Sequence, residues 1–355
     1  GTMKKITIYL ISLFLILFLF ELLNGFWFKS ELEKNLLNLN ALYKVNLQLD
    51  SNDFYKNSQT ISYSRNNYGL RTNCQNMEDI DLVSIGGSTT DQRYIDFENT
   101  FSFILQQAIS KNKDSAYCIA NAGVDGHKLS DHINSFKDWF PLIPSLKPNY
   151  YLLNIGINDA AIFNDISKKN ISTSNSFISY AKFQIIRNSY LYSFIKKIRN
   201  LIGISLDRFG VLTHKKNIKS DFEYTALKNS TKLENDIIKN SKTFGINFRK
   251  IITIIKNRGA TPICITQDAL FVKNNKGIKN AFPYKNYFLN GFDLQLSLDL
   301  INNQIVKICS DEGGIIVNVE NSYFIESDFY DFVHHNPQGS RKLAKIIYNS
   351  IKDKL

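Results

Sequence analysis

The chain predicts an α/β fold, a parallel sheet with helices on both faces, and three observations predict it. Five short apolar runs recur, "IDLVSIGG", "AYCIANAG", "YYLLNIG", "TPICITQ" and "GIIVNVE". Segments of helical spacing such as "FSFILQQAIS" fill most of the intervals, and strands alternating with helices form parallel sheets. Each run also leads into small or polar residues, and loops past the C-terminal strand ends of such sheets gather along one edge and build the site. With 355 residues and 44% hydrophobic content, the chain is long enough for one large domain or two ordinary ones.

The elements are justified in chain order. Gly1 and Thr2 precede Met3 and are an expression scar. Lys4 and Lys5 then lead an apolar run from Ile6 to Phe28, about long enough to cross a hydrocarbon core as a helix. A secretory signal would end in small residues, whereas Trp27 and Phe28 suit the aromatic belt of an uncleaved anchor. Residues 1–28 are therefore expected to be scar and transmembrane anchor. The lysine pair holds the N-terminus in the cytoplasm and leaves the rest of the chain outside it. Residues 29–79 are polar and rich in Asn, with turn chemistry in "YSRNNYGLRTN", and are expected to be an extracytoplasmic approach segment. The α/β domain is expected over 80–355. Within it, about 160–240 is too long for a simple crossover and is expected to be a basic helical insertion that could cap the site.

The formal net charge is +11, and residues 161–260 hold 19 Lys and Arg against 6 Asp and Glu. A basic face suits anionic headgroups or an acidic glycan, and a lysine-rich solvated surface is the plain alternative. The extracytoplasmic placement argues against nucleic acid. Cys74, Cys118, Cys264 and Cys309 show no metal spacing. They are expected to be free thiols, Cys118 and Cys264 inside strands, with Cys74 and Cys118 the pair to check for a bridge. Neither a metal nor a cofactor is expected: His127, Asp131 and His132 lack a well-spaced further ligand.

The chemistry sits in the loops. Ser88 in "IGGSTT" follows a strand and two glycines and is placed to act as a nucleophile. A serine hydroxyl needs a base, and "DFVHH" supplies one: Asp331 can hold one nitrogen of His334 while the other faces Ser88. His335 should point away, because neighbouring side chains in an extended segment face opposite ways. The N–H of Ser88, the N–H of Gly123 in "NAGVDG" and the side-chain amide of Asn158 in "GIND" are the expected oxyanion donors. His127, Gln267 and Asp268 are further candidates for contact with substrate, and Arg71 is expected either to orient the approach segment or to form a surface salt bridge.

These residues resemble the four blocks of the SGNH hydrolase superfamily, the GDSL-type esterases and lipases. Ser88, Gly123, Asn158 and the Asp331/His334 pair match them in order, over roughly residues 63–351. The resemblance implies a three-layer α/β/α sandwich, flavodoxin-like, around a five-stranded parallel sheet of order 2-1-3-4-5. Where the name-giving motif has Asp before Ser, this sequence has Gly87. That Asp lies outside the triad, so the chemistry is untouched, but a generic lipase becomes a poorer description. "NNYGLR" and "ICITQDALF" also resemble membrane-anchored bacterial members acting on cell-surface polysaccharides. The expected activity is thus a serine esterase or O-acyltransferase on acyl, chiefly acetyl, esters of surface glycans, with a membrane protein as a candidate acyl donor. A purely hydrolytic carbohydrate esterase and an inactive envelope scaffold are the alternatives.

Overall fold

The computed structural model describes residues 2–25, 27–28, 44–49, 59–160, 189–191, 234–275, 278–281, 290–319 and 323–355. By packing, the chain divides into two units, 1–38 with 169–216, and 39–168 with 217–355. Most of the expected insertion, 161–188 and 192–233, lies outside the described residues, as do the lysines at its centre.

The first unit holds α1 (Thr2–Asn24). Its stretch Lys5–Asn24 is long and apolar enough to cross a membrane, with a mean hydropathy of 2.6 and none of it buried. Glu21, which interrupts the apolar run, accepts hydrogen bonds from Trp27 Nε1 and from the backbone N–H of Tyr190 and Leu191.

The second unit begins with an antiparallel hairpin, β1 (Lys44–Leu49) and β2 (Gln59–Ser64). Then follow β3 (Leu82–Gly86), α2 (Ser88–Asp91), α3 (Phe101–Lys113), β4 (Ile119–Asn121), α4 (Leu129–Asp138), β5 (Tyr150–Asn154) and α5 (Ile157–Ala160). After the undescribed stretch come α6 (Glu234–Asn257), β6 (Thr261–Ile265), the hairpin β7 (Val272–Asn275) and β8 (Ile278–Ala281), α7 (Gly291–Asp311), β9 (Ile315–Val317) and α8 (Pro337–Ile351).

Five strands form one parallel sheet in the order β4-β3-β5-β6-β9, which is the expected 2-1-3-4-5. β3 is buried along its whole length, so it reads as a continuous apolar run with no alternation. Helices α3 and α8 pack against each other on one core, where Leu105, Ile109, Leu343 and Ile347 meet Leu82, Leu152 and Ile263 of the sheet. On α6, Ile237, Ser241, Phe244, Phe248, Ile251 and Ile255 recur at helical spacing and are buried, and this helix packs on α4 and α7. The helix α6 starts at Glu234, so the end of the stretch assigned to an insertion is in fact a helix covering the sheet.

Two further expectations are corrected. Residues 59–79 are no mere approach segment: Ile61, Tyr63, Leu70 and Arg71 are at most 1% exposed, within the second unit. Arg71 pairs by backbone with Asn121 beside β4, which makes this stretch part of the domain. The cysteines are bridged, Cys74 to Cys118 and Cys264 to Cys309, with none free. Cys264 lies in β6 and Cys309 in α7, partners brought together only by the packing of that helix on the sheet.

Candidate active site

Ser88 is the first residue of α2, immediately past β3. A Cβ on the preceding Gly87 would lie 2.5 Å from Nδ2 of Asn158, so a larger residue there would displace that amide. Close approach of the two loops at this point puts the Asn158 amide beside the nucleophile. Nδ2 of Asn158 donates one hydrogen to the carbonyl of His127 at 2.8 Å, and its second hydrogen remains for another acceptor.

The histidine comes from the loop before α8. Asn336 caps that helix, accepting from the N–H groups of Gln338 and Gly339 at 2.9 and 3.1 Å, and Pro337 occupies its first turn. Upstream, Oδ1 of Asp331 accepts from the backbone N–H of Val333 and His334 at 2.8 and 2.7 Å, a turn built on the carboxylate itself. Its Oδ2 accepts from Nδ1 of His334 at 2.6 Å, and Nε2 of His334 lies 2.7 Å from Oγ of Ser88. A carboxylate can only accept, so the proton sits on Nδ1 and Nε2 is left to take the serine's. Burial disfavours the charged form of Asp331, but His334 and the two N–H groups outweigh it and hold the carboxyl below its ordinary range. For His334 burial again works against charge, and Asp331 overcomes it, so the imidazole is raised above its ordinary 6.5. The ring of Tyr330 stacks on His334 at 5.3 Å.

His335 faces the other way. It is buried between Phe324 and Phe329, with ring centroids 4.4 and 4.6 Å away, and its Nε2 lies 3.2 Å from Oδ2 of Asp268. Asp268, expected to touch substrate, is therefore an interior partner of His335, with both side chains 6% exposed.

Gln267 is likewise consumed by the fold. Its Oε1 accepts from the N–H of Ile157 at 2.5 Å, and its Nε2 donates to Oδ1 of Asn154 at 3.0 Å and to Oγ1 of Thr89 at 3.3 Å. One side chain at the end of β6 thus ties the start of α5, which carries Asn158, to the residue after Ser88. Arg71 is no surface ion pair. It is 1% exposed, and its guanidinium donates to the carbonyls of Asp91, Gln92 and Ile95 at 2.6, 2.9 and 2.7 Å, closing off the end of α2.

Gly123 requires a correction. Its N–H donates to Oδ1 of Asn121 at 2.8 Å and so is not available to an oxyanion. Glycine is required there because a Cβ would collide with the backbone of Thr90 and Asp91 at the end of α2. The glycine of this loop with no hydrogen bond on its N–H among the described residues is Gly126, at φ +74° and with open space where its Cβ would be. It directly precedes His127, whose carbonyl holds Asn158. The signal was legible: Asn side chains commonly bond the backbone two residues on, so Asn-Ala-Gly should have marked Gly123 as engaged.

His127 is half-buried and lowered in pKa, chiefly by burial, and its ring centroid is 5.5 Å from that of His132. His132 is fully buried and pushed down to about 3, again by burial, so both rings are neutral near pH 7. Among the described residues no group of three His, Cys, Asp or Glu could hold a metal ion. A residue that sequence reasoning missed is Asp159, next to Asn158. Burial raises it to about 7, while both its oxygens accept from the N–H of Leu129 at the start of α4.

No family model matches this chain, and no curated protein does. Solved structures do. LAE5, an α/β hydrolase enzyme from the metagenome of Lake Arreo, Spain, is 13% identical and aligns over 77% of this chain and 97% of its own, with a TM-score of 0.44. An acetylxylan esterase from Geobacillus stearothermophilus is 12% identical over 76% of this chain and 93% of its own, at 0.43. The acetyl xylan esterase AlAXEase is 15% identical over 77% and 100%, at 0.42.

Proposed function

We propose that the chain is a serine esterase or O-acyltransferase of the SGNH type, anchored in a membrane by α1 and acting outside the cytoplasm on acyl esters of surface glycans. The observation that carries this reading is the chain of hydrogen bonds from Ser88 through His334 to Asp331, 2.7 and 2.6 Å long, with the Asn158 amide alongside. His334 takes the proton of Ser88 as its Oγ attacks the ester carbonyl, and Asp331 steadies the imidazolium that results. The N–H of Ser88 and Nδ2 of Asn158 bind the developing oxyanion. His334 returns the proton to the leaving alcohol, and the acyl group passes from Ser88 to a sugar hydroxyl or to water.

Two bridged cysteine pairs support placement in an oxidising compartment, and an exposed apolar helix of 20 residues supports the anchor. A scaffold without activity would have no chemical need for a serine, histidine and aspartate in this register.

The test gives the purified protein an activated acetyl ester and candidate oligosaccharides, with Ser88→Ala as the control. Acetylated sugar formed faster than free acetate supports transfer, and acetate alone supports a carbohydrate esterase. Neither product, together with no fluorophosphonate labelling of Ser88 in folded protein, would leave the scaffold.

A further inference from the structure

Three guanidiniums surround the ring of Tyr63, those of Arg71, Arg93 and Arg65, at 4.7, 5.7 and 5.8 Å from its centroid. Two of them are buried and bound within the fold. Arg65 donates to Tyr63 Oη at 2.6 Å, to the carbonyl of Gly69 at 2.8 Å, to Oδ1 of Asp91 at 2.8 Å and to the carbonyl of Gly123. Arg71 spends its terminal nitrogens on the three carbonyls at the end of α2.

Arg93 differs. Its contacts with carboxylates are loose, 3.5 Å to Oδ2 of Asp91 and 3.9 Å to Oδ2 of Asp125. Its Nε, like that of Arg71, is buried without a partner among the described residues. The side chain is 32% exposed, so the fork reaches solvent. Asp91 is shared, its Oδ1 accepting from Tyr63 and Arg65 and its Oδ2 from Arg93 at 3.5 Å. Asp125 is half-exposed and too far away for a firm pair. Of the three guanidiniums, that of Arg93 is the one that reaches solvent, and its carboxylate partners hold it loosely.

The location ties this guanidinium to the reaction. Arg93 lies two residues past α2, the helix that Ser88 begins. The next ring, Tyr94, stands edge-on to Tyr330 at 6.2 Å, and Tyr330 stacks on His334. Asp125 precedes Gly126 in the loop that meets Asn158, and it acts on His334 electrostatically as well. Arg93 thus stands where the nucleophile helix and this loop meet.

We propose that Arg93 binds the carboxylate of an acidic sugar, so that the preferred substrate is an acylated uronic-type residue whose acid group sits on this guanidinium while Ser88 attacks a neighbouring ester. A planar fork that reaches solvent matches a carboxylate bidentately, which a lysine ammonium would not. The inference rests on the reading of Ser88 as a glycan-directed nucleophile and adds the class of glycan.

The experiment compares kcat/KM for acetylated glucuronic acid and for its uncharged methyl ester, in wild type, Arg93→Gln and Arg93→Lys. Wild type should favour the acid by about tenfold to a hundredfold, as expected for a hydrogen bond to a charged group. The preference should vanish in R93Q through KM and be partly kept in R93K. Equal use of both substrates by wild type, or an undiminished preference in R93Q, would overturn the proposal. A second measurement needs no turnover: glucuronate should slow fluorophosphonate labelling of Ser88 in wild type more than glucose does, and equally little in R93Q. Labelling of R93Q also reports that its site is intact. Absence of labelling in folded wild type would bring down the reading of Ser88 itself, whereas labelling without protection by glucuronate would reject only the acidic subsite.

Discussion

Replacing Asn158 with alanine tests the oxyanion hole and little else. Two hydrogens sit on Nδ2, and one is committed to the His127 carbonyl at 2.8 Å. Losing that neutral bond at a half-buried position should cost about 1 kcal/mol of stability, a small downward shift of the melting temperature. The other hydrogen is the proposed oxyanion donor, and losing such a donor costs about 2.7–4 kcal/mol in the transition state, or roughly a hundred- to a thousandfold in kcat. KM should hardly move, because the donor grips charge that exists only once Ser88 has attacked. The assay is steady-state hydrolysis of an activated acetyl ester, with circular dichroism to confirm the fold. A kcat within about threefold of wild type, in folded protein, would refute the assignment, since no such donor is worth so little in this role.

Two further outcomes are expected. His334 works only when neutral and is raised above 6.5 by Asp331, so kcat/KM should fall with decreasing pH along a limb centred above that value. Asp331→Asn should move the limb to lower pH and cut kcat by about 10⁴-fold, and an unmoved limb would show that another group controls it. The Cys264–Cys309 bridge closes a separation of 45 residues, for which chain entropy suggests about 4 kcal/mol of stability; urea unfolding of Cys264→Ala/Cys309→Ala should show the loss, and equal midpoints with and without the bridge would contradict it.

Local pattern made the central sheet legible. β3 and β5 are short apolar runs with glycine or asparagine at their ends. Asp331 and His334 were legible because three residues of loop are all that their turn needs. The hairpin of β1 and β2 was missed because the polar, Asn-rich composition around it was read as loop, although "KVNLQL" alternates polar and apolar residues as a half-buried strand does. Gln267 and Asp268 were assigned to substrate because a polar pair after a strand points to the site edge; their burial depends on Asn154, Thr89 and His335, contributed by distant segments. The disulfides depend in the same way on helix packing that no spacing rule encodes. Gly123 was read as a free donor although the Asn121 side chain two residues before it engages its N–H.

The amide of Gln267 has a consequence for how this protein can change. Because one interior side chain fastens both Thr89, beside the nucleophile, and Ile157, beside the oxyanion donor, the reacting geometry is anchored from beneath by the sheet. Surface loops can then lengthen, shorten or exchange their charges without retuning the distance between attack and stabilisation. New acceptors and new acyl groups become accessible through changes at the rim, while a substitution at this one buried amide would loosen the chemistry for every substrate at once.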